Sequence, residues 1–221
     1  MTETRALIDA LVERAAPVRR LRPPLLRAGL WLALCGIVLV LLAVAHGVRP
    51  DLAARLQQPW FATGIAAALV TGITAAIASF MASLPDRPRL WLLLPVPALA
   101  VWLSGIGYGC FADWVSMGPD GVQFGETMRC FATLLLTSVP LSLAMVVMLR
   151  YAALLRAKAV TLMGGLAVAA MTSSALLLLH DLDATVMILV WNLGTAAVIA
   201  ALSGLFGRRL LSWMSPPLRP V

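Results

Sequence analysis

The sequence predicts an all-α integral membrane protein: a bundle of six transmembrane helices with both termini in the cytoplasm, preceded by a short amphipathic helix. Three observations support this fold class. Of the 221 residues, 61% are hydrophobic and only 12% are charged. Six long apolar stretches carry no charged residue, and most arginines lie on one side of them. A 23.5 kDa soluble domain has too little interior to bury so much apolar surface, which excludes a soluble enzyme and a disordered tail.

The predicted membrane spans are the charge-free stretches. A helix needs about 20 residues to cross about 30 Å of hydrocarbon, and a charged side chain at mid-bilayer costs about 2.5 to 3.5 kcal/mol on insertion scales. The alternation that transmembrane strands require is absent from the sequence. Six helical spans are therefore predicted, over residues 28–45, 59–83, 90–112, 130–149, 159–179 and 184–206.

The basic residues predict the orientation of these spans. Of the 17 Lys and Arg residues, 14 fall on the side of the two termini and three on the opposite side. The positive-inside rule then places both termini in the cytoplasm. Topology and anionic lipid account for the net charge of +7, so nucleic acid is not predicted as a partner.

Features inside the spans predict how the helices pack. Helices in lipid associate by close backbone approach, and small residues recur at every fourth position in the second and fifth spans. These two packing stripes are Gly64, Ala68, Gly72 and Ala76, and Gly165, Ala169 and Ser173. Pro95 and Pro97 predict a kink in the third span. Tryptophans near span ends, among them Trp31 and Trp60, are typical of interfacial anchors.

Residues 3–16 form a predicted amphipathic helix that Pro17 ends. Its apolar side chains fall within an arc of about 140°, with Asp9 and Glu13 opposite. A helix that lies on lipid carries basic residues on its polar face, whereas this polar face is acidic at its centre. Docking in a protein groove is therefore preferred over lipid. The predicted partner-binding residues are this face and the arginines after it: Leu7, Ile8, Leu11, Val12, Arg19, Arg20 and Arg22.

Thiols, carboxylates and a histidine gather on the predicted outer side. The candidates for sensing are Cys110, Cys130, His180 and Asp181. Three interpretations stay open for the two cysteines: they are inert, they form a disulfide in an oxidising compartment, or they join the histidine and aspartate in sensing a soft or borderline divalent metal. The carboxylates can equally be the ordinary polar residues of exposed loops. Neither cysteine spacing is a zinc signature, so no metal site and no cofactor is assigned.

The sequence gives no support for enzymatic activity. It contains no serine–histidine–aspartate arrangement, no glycine-rich phosphate loop and no HExxH motif. No pair of charged residues lies within the spans, which makes an ion or proton pathway less favoured. A small-molecule or metal-ion permease is kept as the alternative function.

Five segments, in order along the chain, make it similar to the NrsF-type membrane anti-sigma factors. The segments at the two ends of the chain are the most specific. They are LIDALVERAAPVRRLRPPLLRAGLW (residues 7–31), RPDLAARLQQP, MRCFATLLL, LLLLHDLDATVMILVWNLG and GRRLLSW (residues 207–213).

The resemblance implies a membrane anti-sigma factor with an extracytoplasmic-function sigma factor as its partner. The chain would hold that factor on its cytoplasmic face and release it on an envelope or stress signal. The predicted spans divide the chain into a cytoplasmic segment 1–27, a six-helix membrane domain 28–206 and a cytoplasmic tail 207–221. The basic loop 150–158 and the tail would add to the interface. Spans four and six are the candidates for transmission.

The resemblance also implies sensing by two cysteines. One matches Cys130, whereas the other would follow the histidine of the fifth loop, where this chain has Asp181. Two alternatives follow from this departure: Cys110 replaces the missing partner, or Asp181 binds a metal together with Cys130 and His180.

Overall fold

The computed structural model describes residues 2–13, 22–105, 124–149 and 156–179. Within these ranges all regular structure is helical, which confirms the all-α class for this part of the chain. The helices are α1 (Thr2–Glu13), α2 (Pro24–His46), α3 (Leu52–Leu56), α4 (Pro59–Ala82), the 3₁₀ helix η1 (Arg89–Leu93), α5 (residues 96–105), α6 (Phe124–Leu149) and α7 (Ala157–Leu179).

Four of these helices are long and apolar enough to cross a membrane: α2, α4, α6 and α7. They correspond to predicted spans one, two, four and five. The described part of the third span ends at residue 105. It forms a shorter apolar helical segment, Arg89–Gly105. The sixth span lies outside the described residues. The count of six and the orientation of the termini therefore stay predictions.

The third span starts as two helical pieces. Residues 89–93 form η1, a turn covers residues 94 and 95, and α5 follows. Proline supplies no N–H donor, so Pro95 cannot continue the hydrogen bonds of η1. The first backbone hydrogen bond of α5 accordingly runs from the Leu99 N–H to the Pro95 carbonyl, at 2.9 Å. Pro95 thus begins a new helix.

The predicted packing stripe of α4 faces α7. Ala68, Gly72 and Ala76 are all buried, and a Cβ added at Gly72 would lie 3.1 Å from the Met171 side chain. Gly64, at the outer end of the stripe, is half-buried. Glycine at position 72 therefore lets the two backbones approach closely.

On α7, the buried face is displaced by about one residue from the predicted one. Ser173 is buried as predicted, but Gly165 and Ala169 are only half-buried. Their places are taken by other small residues, which are buried: Gly164, Ala167, Ala170 and Ser174. Residues four apart differ by about 40° around a helix, so a stripe of small residues alone does not determine which side of it meets a neighbour.

Two buried hydrogen bonds join distant parts of the bundle. The Ser79 hydroxyl of α4 donates to the Val160 carbonyl of α7 at 3.0 Å. The Trp31 indole N–H of α2 donates to the Leu141 carbonyl of α6 at 3.1 Å, and this tryptophan is fully buried. The prediction of an interfacial anchor is wrong for Trp31, because its position on α2 faces the other helices. Trp60, at the start of α4, is 55% exposed, as an anchor would be.

We expect Trp31→Phe to lower the free energy of unfolding by about 1 kcal/mol, since it removes one buried hydrogen bond and part of a packed ring. Denaturant unfolding of the purified protein in detergent measures the change. Trp60→Phe is the matched control, because the Trp60 ring is largely exposed. Equal effects of the two substitutions would contradict the assignment of Trp31 to the packed core.

Candidate functional site

The apolar face of α1 is uncovered. Leu7, Ile8 and Val12 are 62%, 52% and 68% exposed, and the polar residues Asp9 and Glu13 are exposed as well. The fourth predicted member, Leu11, lies in α1, but its side chain is not among those described. An isolated helix of 12 residues is marginal in water. The exposed apolar face therefore suits a helix that is stabilised by docking on something else.

Of the three arginines predicted to bind the partner together with this face, the structure describes one. Arg22, two residues before α2, is exposed. Arg19 and Arg20 lie outside the described residues.

A further basic side chain at this end of the bundle has a structural role. The Arg156 guanidinium donates to the Arg87 carbonyl at 2.8 Å and to the Pro85 carbonyl at 3.3 Å. These bonds tie the connection between α4 and η1 to the start of α7. Lys158, in the first turn of α7, is exposed. Within the described part of loop 150–158, Lys158 is thus better placed than Arg156 to meet a partner.

A charged cluster, Arg49, Asp51 and Arg55, lies at the opposite end of the bundle. Arg49 donates to both carboxylate oxygens of Asp51, at 2.6 and 2.9 Å, and Arg55 donates to the same carboxylate at 3.2 Å. The Arg49 guanidinium also lies 5.6 Å from the centre of the Phe61 ring. Its side chain is only 2% exposed, so this bidentate pair is largely shielded from water on the arginine side.

The charged cluster is attached to the end of α7. The Arg49 N–H donates to the Leu178 carbonyl at 3.3 Å, two residues before His180 in the sequence. The first connection and the end of α7 are therefore joined. Sequence reasoning missed this cluster. The signal was present in the segment RPDLAAR, where opposite charges stand two and four residues apart.

The cluster lowers the pKa of the Asp51 carboxyl from 3.8 to about 2, chiefly through the hydrogen bond from Arg49 and then that from Arg55. A carboxyl whose pKa is lower in the folded than in the unfolded protein stabilises the fold at pH values above its pKa in the unfolded protein. This contribution is lost as the pH falls from about 4 towards 2. Asp51 is therefore ionised at any ordinary pH and is not a sensor of mild acid.

We expect wild-type protein to lose thermal stability over this acidic window and Asp51→Asn to depend less on pH there, because the amide cannot titrate. Scans of the melting temperature in detergent, from neutrality to about pH 2, test this. Asp86→Asn is the control, since Asp86 is exposed and lies 3.7 Å from Arg87. An unchanged acid profile in Asp51→Asn would show that other groups control the acid transition.

The structure does not test the four predicted sensing residues as a set. Cys130 lies in the second turn of α6, but its side chain is not among those described. Cys110, His180 and Asp181 lie outside the described residues. Across the described ranges, no three His, Cys, Asp or Glu side chains are grouped as metal ligands. The disulfide and the metal site therefore stay predictions.

No curated protein and no solved structure matches this chain. A family profile described as a negative regulator of sigma F matches residues 11–213, from the end of α1 to the predicted cytoplasmic tail. This match covers most of the chain, and it confirms the resemblance seen in the five sequence segments. The chain belongs to the NrsF family, the negative regulators of sigma F.

Proposed function

We propose that this protein is a membrane-bound anti-sigma factor. It holds an extracytoplasmic-function sigma factor at the inner membrane and releases it on an envelope or stress signal. Membership of the NrsF family supports negative regulation of a sigma factor. The four long apolar helices are compatible with a membrane location. The observation that carries the proposal is the exposed apolar face of α1, which precedes the first apolar helix in the sequence.

The α1 face supplies the anchors of the proposed interface. An amphipathic helix that docks in a groove buries apolar side chains spaced by three or four residues, as Leu7, Ile8 and Val12 are. A standard interface buries about 800 Å² on each partner, which is more than one face of a 12-residue helix provides. Exposed basic groups, Arg22 and Lys158 among them, enlarge the surface and favour an acidic partner.

Release requires a coupling free energy between the two ends of the bundle. Each tenfold loss of affinity for the sigma factor requires about 1.4 kcal/mol. Besides spans four and six, span five, which is α7, is suited to transmit this change. Leu178 near one end of α7 accepts the hydrogen bond from the charged cluster, and Arg156, just before the other end, holds the carbonyls of residues 85 and 87. A shift of α7 would therefore move contacts at both ends.

The proposal is tested by recruitment in cells. Each extracytoplasmic-function sigma factor of the source organism is labelled and expressed with and without the full chain, and its distribution and promoter activity are recorded. We expect one factor to move to the membrane and its promoter to be repressed when the chain is present. If every factor stays soluble and active while the chain is present in the membrane, the proposal fails. Fusion reporters at residues 10 and 215 test the orientation in the same cells.

A further inference from the structure

Arg27 is a buried cation at the end of the first apolar helix. It lies in the first turn of α2, and its residue is only 5% exposed. The guanidinium lies over the ring of Phe80, near the end of α4, at 5.1 Å from the ring centre. One of its terminal nitrogens, Nη2, is buried and has no hydrogen-bond partner within the ranges that the structure describes. The same ranges contain no carboxylate paired with Arg27.

A buried charge without a carboxylate partner in the described ranges is stabilised if a ligand supplies an anion. Arginine stays protonated in proteins, so Arg27 cannot avoid the cost of burial by losing its proton. Stacking on Phe80 stabilises the cation through the face of the guanidinium, but the N–H donors lie around its edge. Buried donors of a charged group are costly when they have no acceptor. The buried Nη2 of Arg27 therefore favours a negatively charged hydrogen-bond acceptor.

The surroundings of Arg27 indicate what carries that anion. Leu26 and Leu30, which lie about 100° and 60° from Arg27 around α2, are 51% and 45% exposed. They belong to a helix that is long and apolar enough to cross a membrane. Arg27 lies three residues into this helix, about 4.5 Å along its axis, so it stands at the boundary between headgroups and acyl chains. A surface that places an unpaired cation beside exposed leucines matches a molecule with both an anionic head and hydrocarbon chains.

We propose that Arg27 binds the headgroup phosphate of an anionic phospholipid, held where the first turn of α2 meets the end of α4, with the acyl chains along the exposed leucines. Arginine can donate two parallel hydrogen bonds to a phosphate, and basic sites between transmembrane helices are suited to lipid headgroups. A carboxylate of a protein partner fits less well, because the adjacent surface of α2 is apolar. The site does not depend on which leaflet contains the start of α2.

Native mass spectrometry of the full chain, released from detergent micelles with added phosphatidylglycerol or phosphatidylcholine, tests the site. We expect wild-type protein to retain phosphatidylglycerol about tenfold better, the preference that one buried charge-assisted pair provides. Arg27→Gln should lose this preference. Arg22→Gln is the matched control, since it removes the same charge from an exposed position five residues away and should keep the preference. A further arm adds inorganic phosphate, which should not displace the lipid if the acyl chains contribute.

The other outcomes overturn the proposal. Equal retention of the two lipids by the wild-type chain excludes the site whether or not Arg27→Gln folds. An equal loss in the Arg27 and Arg22 variants indicates general attraction by surface charge. Displacement by inorganic phosphate indicates an anion site without lipid specificity. If Arg27→Gln keeps its lipid but binds the sigma factor more weakly, the acceptor is a carboxylate of the protein partner.

Discussion

Replacing Leu7 and Ile8 together by aspartate is expected to weaken binding of the sigma factor at least about a hundredfold. Both side chains are more than half exposed on α1, so neither substitution disturbs packing within the described part of the chain. In the proposed complex, each aspartate would place an unpaired carboxylate in an apolar groove, where a charge is costly. Two central apolar contacts of this kind are typical of the few residues that dominate an interface.

Titration of the sigma factor against the full chain in lipid nanodiscs measures this loss. The matched control is Asp9→Asn combined with Glu13→Gln, which changes two residues on the opposite face of the same helix. Deletion of residues 1–16 gives the lower limit of affinity. Unchanged binding in the Leu7 and Ile8 variant would remove α1 from the interface and leave the basic connections as the candidates. If the variant instead loses only its affinity for vesicles, α1 lies on lipid.

The four long helices could be predicted from the sequence because a helix that crosses lipid must be apolar along its length. Spans one, two, four and five contain no charged residue and coincide with α2, α4, α6 and α7 to within a few residues, apart from extended starts in α2 and α6. The stripe of α4 was predicted correctly at Gly72, because small residues in a long apolar helix have few other uses. Charge content and spacing along a single helix were sufficient for these predictions.

Features that depend on contacts between distant segments could not be predicted from the sequence in this way. Trp31 has the sequence position of an interfacial anchor, yet Leu141, in another helix, accepts its hydrogen bond. The charged cluster depends on Phe61 and on the end of α7 as well as on its own loop. Arg27 is one of several arginines near the start of the first apolar stretch, and only its position over Phe80 distinguishes it. Periodicity along one helix contains no information about such partners.

Gly72→Leu is expected to lower the free energy of unfolding by about 3 kcal/mol, a large part of the roughly 5 to 15 kcal/mol that stabilises a typical domain. Even a Cβ at position 72 would approach the Met171 side chain to 3.1 Å, which is closer than ordinary contact. The flexible methionine can yield to an alanine, so Gly72→Ala should be mild. The branched side chain of leucine requires α4 and α7 to separate.

Gly36→Leu separates this packing effect from the effect of glycine on the helix itself. Gly36 lies on the exposed face of α2, and a Cβ there meets nothing within 4 Å among the described residues. Leucine favours helix over glycine by a similar amount at both positions, so Gly36→Leu should be neutral or slightly stabilising. Denaturant unfolding in detergent compares the two variants. Equal stabilities would show that α4 and α7 do not pack through Gly72.

A compensating substitution makes the test specific to the contact with Met171. Met171→Ala removes the side chain that a Cβ at position 72 would meet, so it should restore part of the stability lost in Gly72→Leu. For residues in contact, such coupling reaches about 0.5 to 3 kcal/mol. Additive losses in the double variant would place the clash elsewhere. The two ends of α7 lie at the charged cluster and at the connection between α4 and η1. The destabilised variant should therefore release the sigma factor without a signal, and the compensated variant should restore repression.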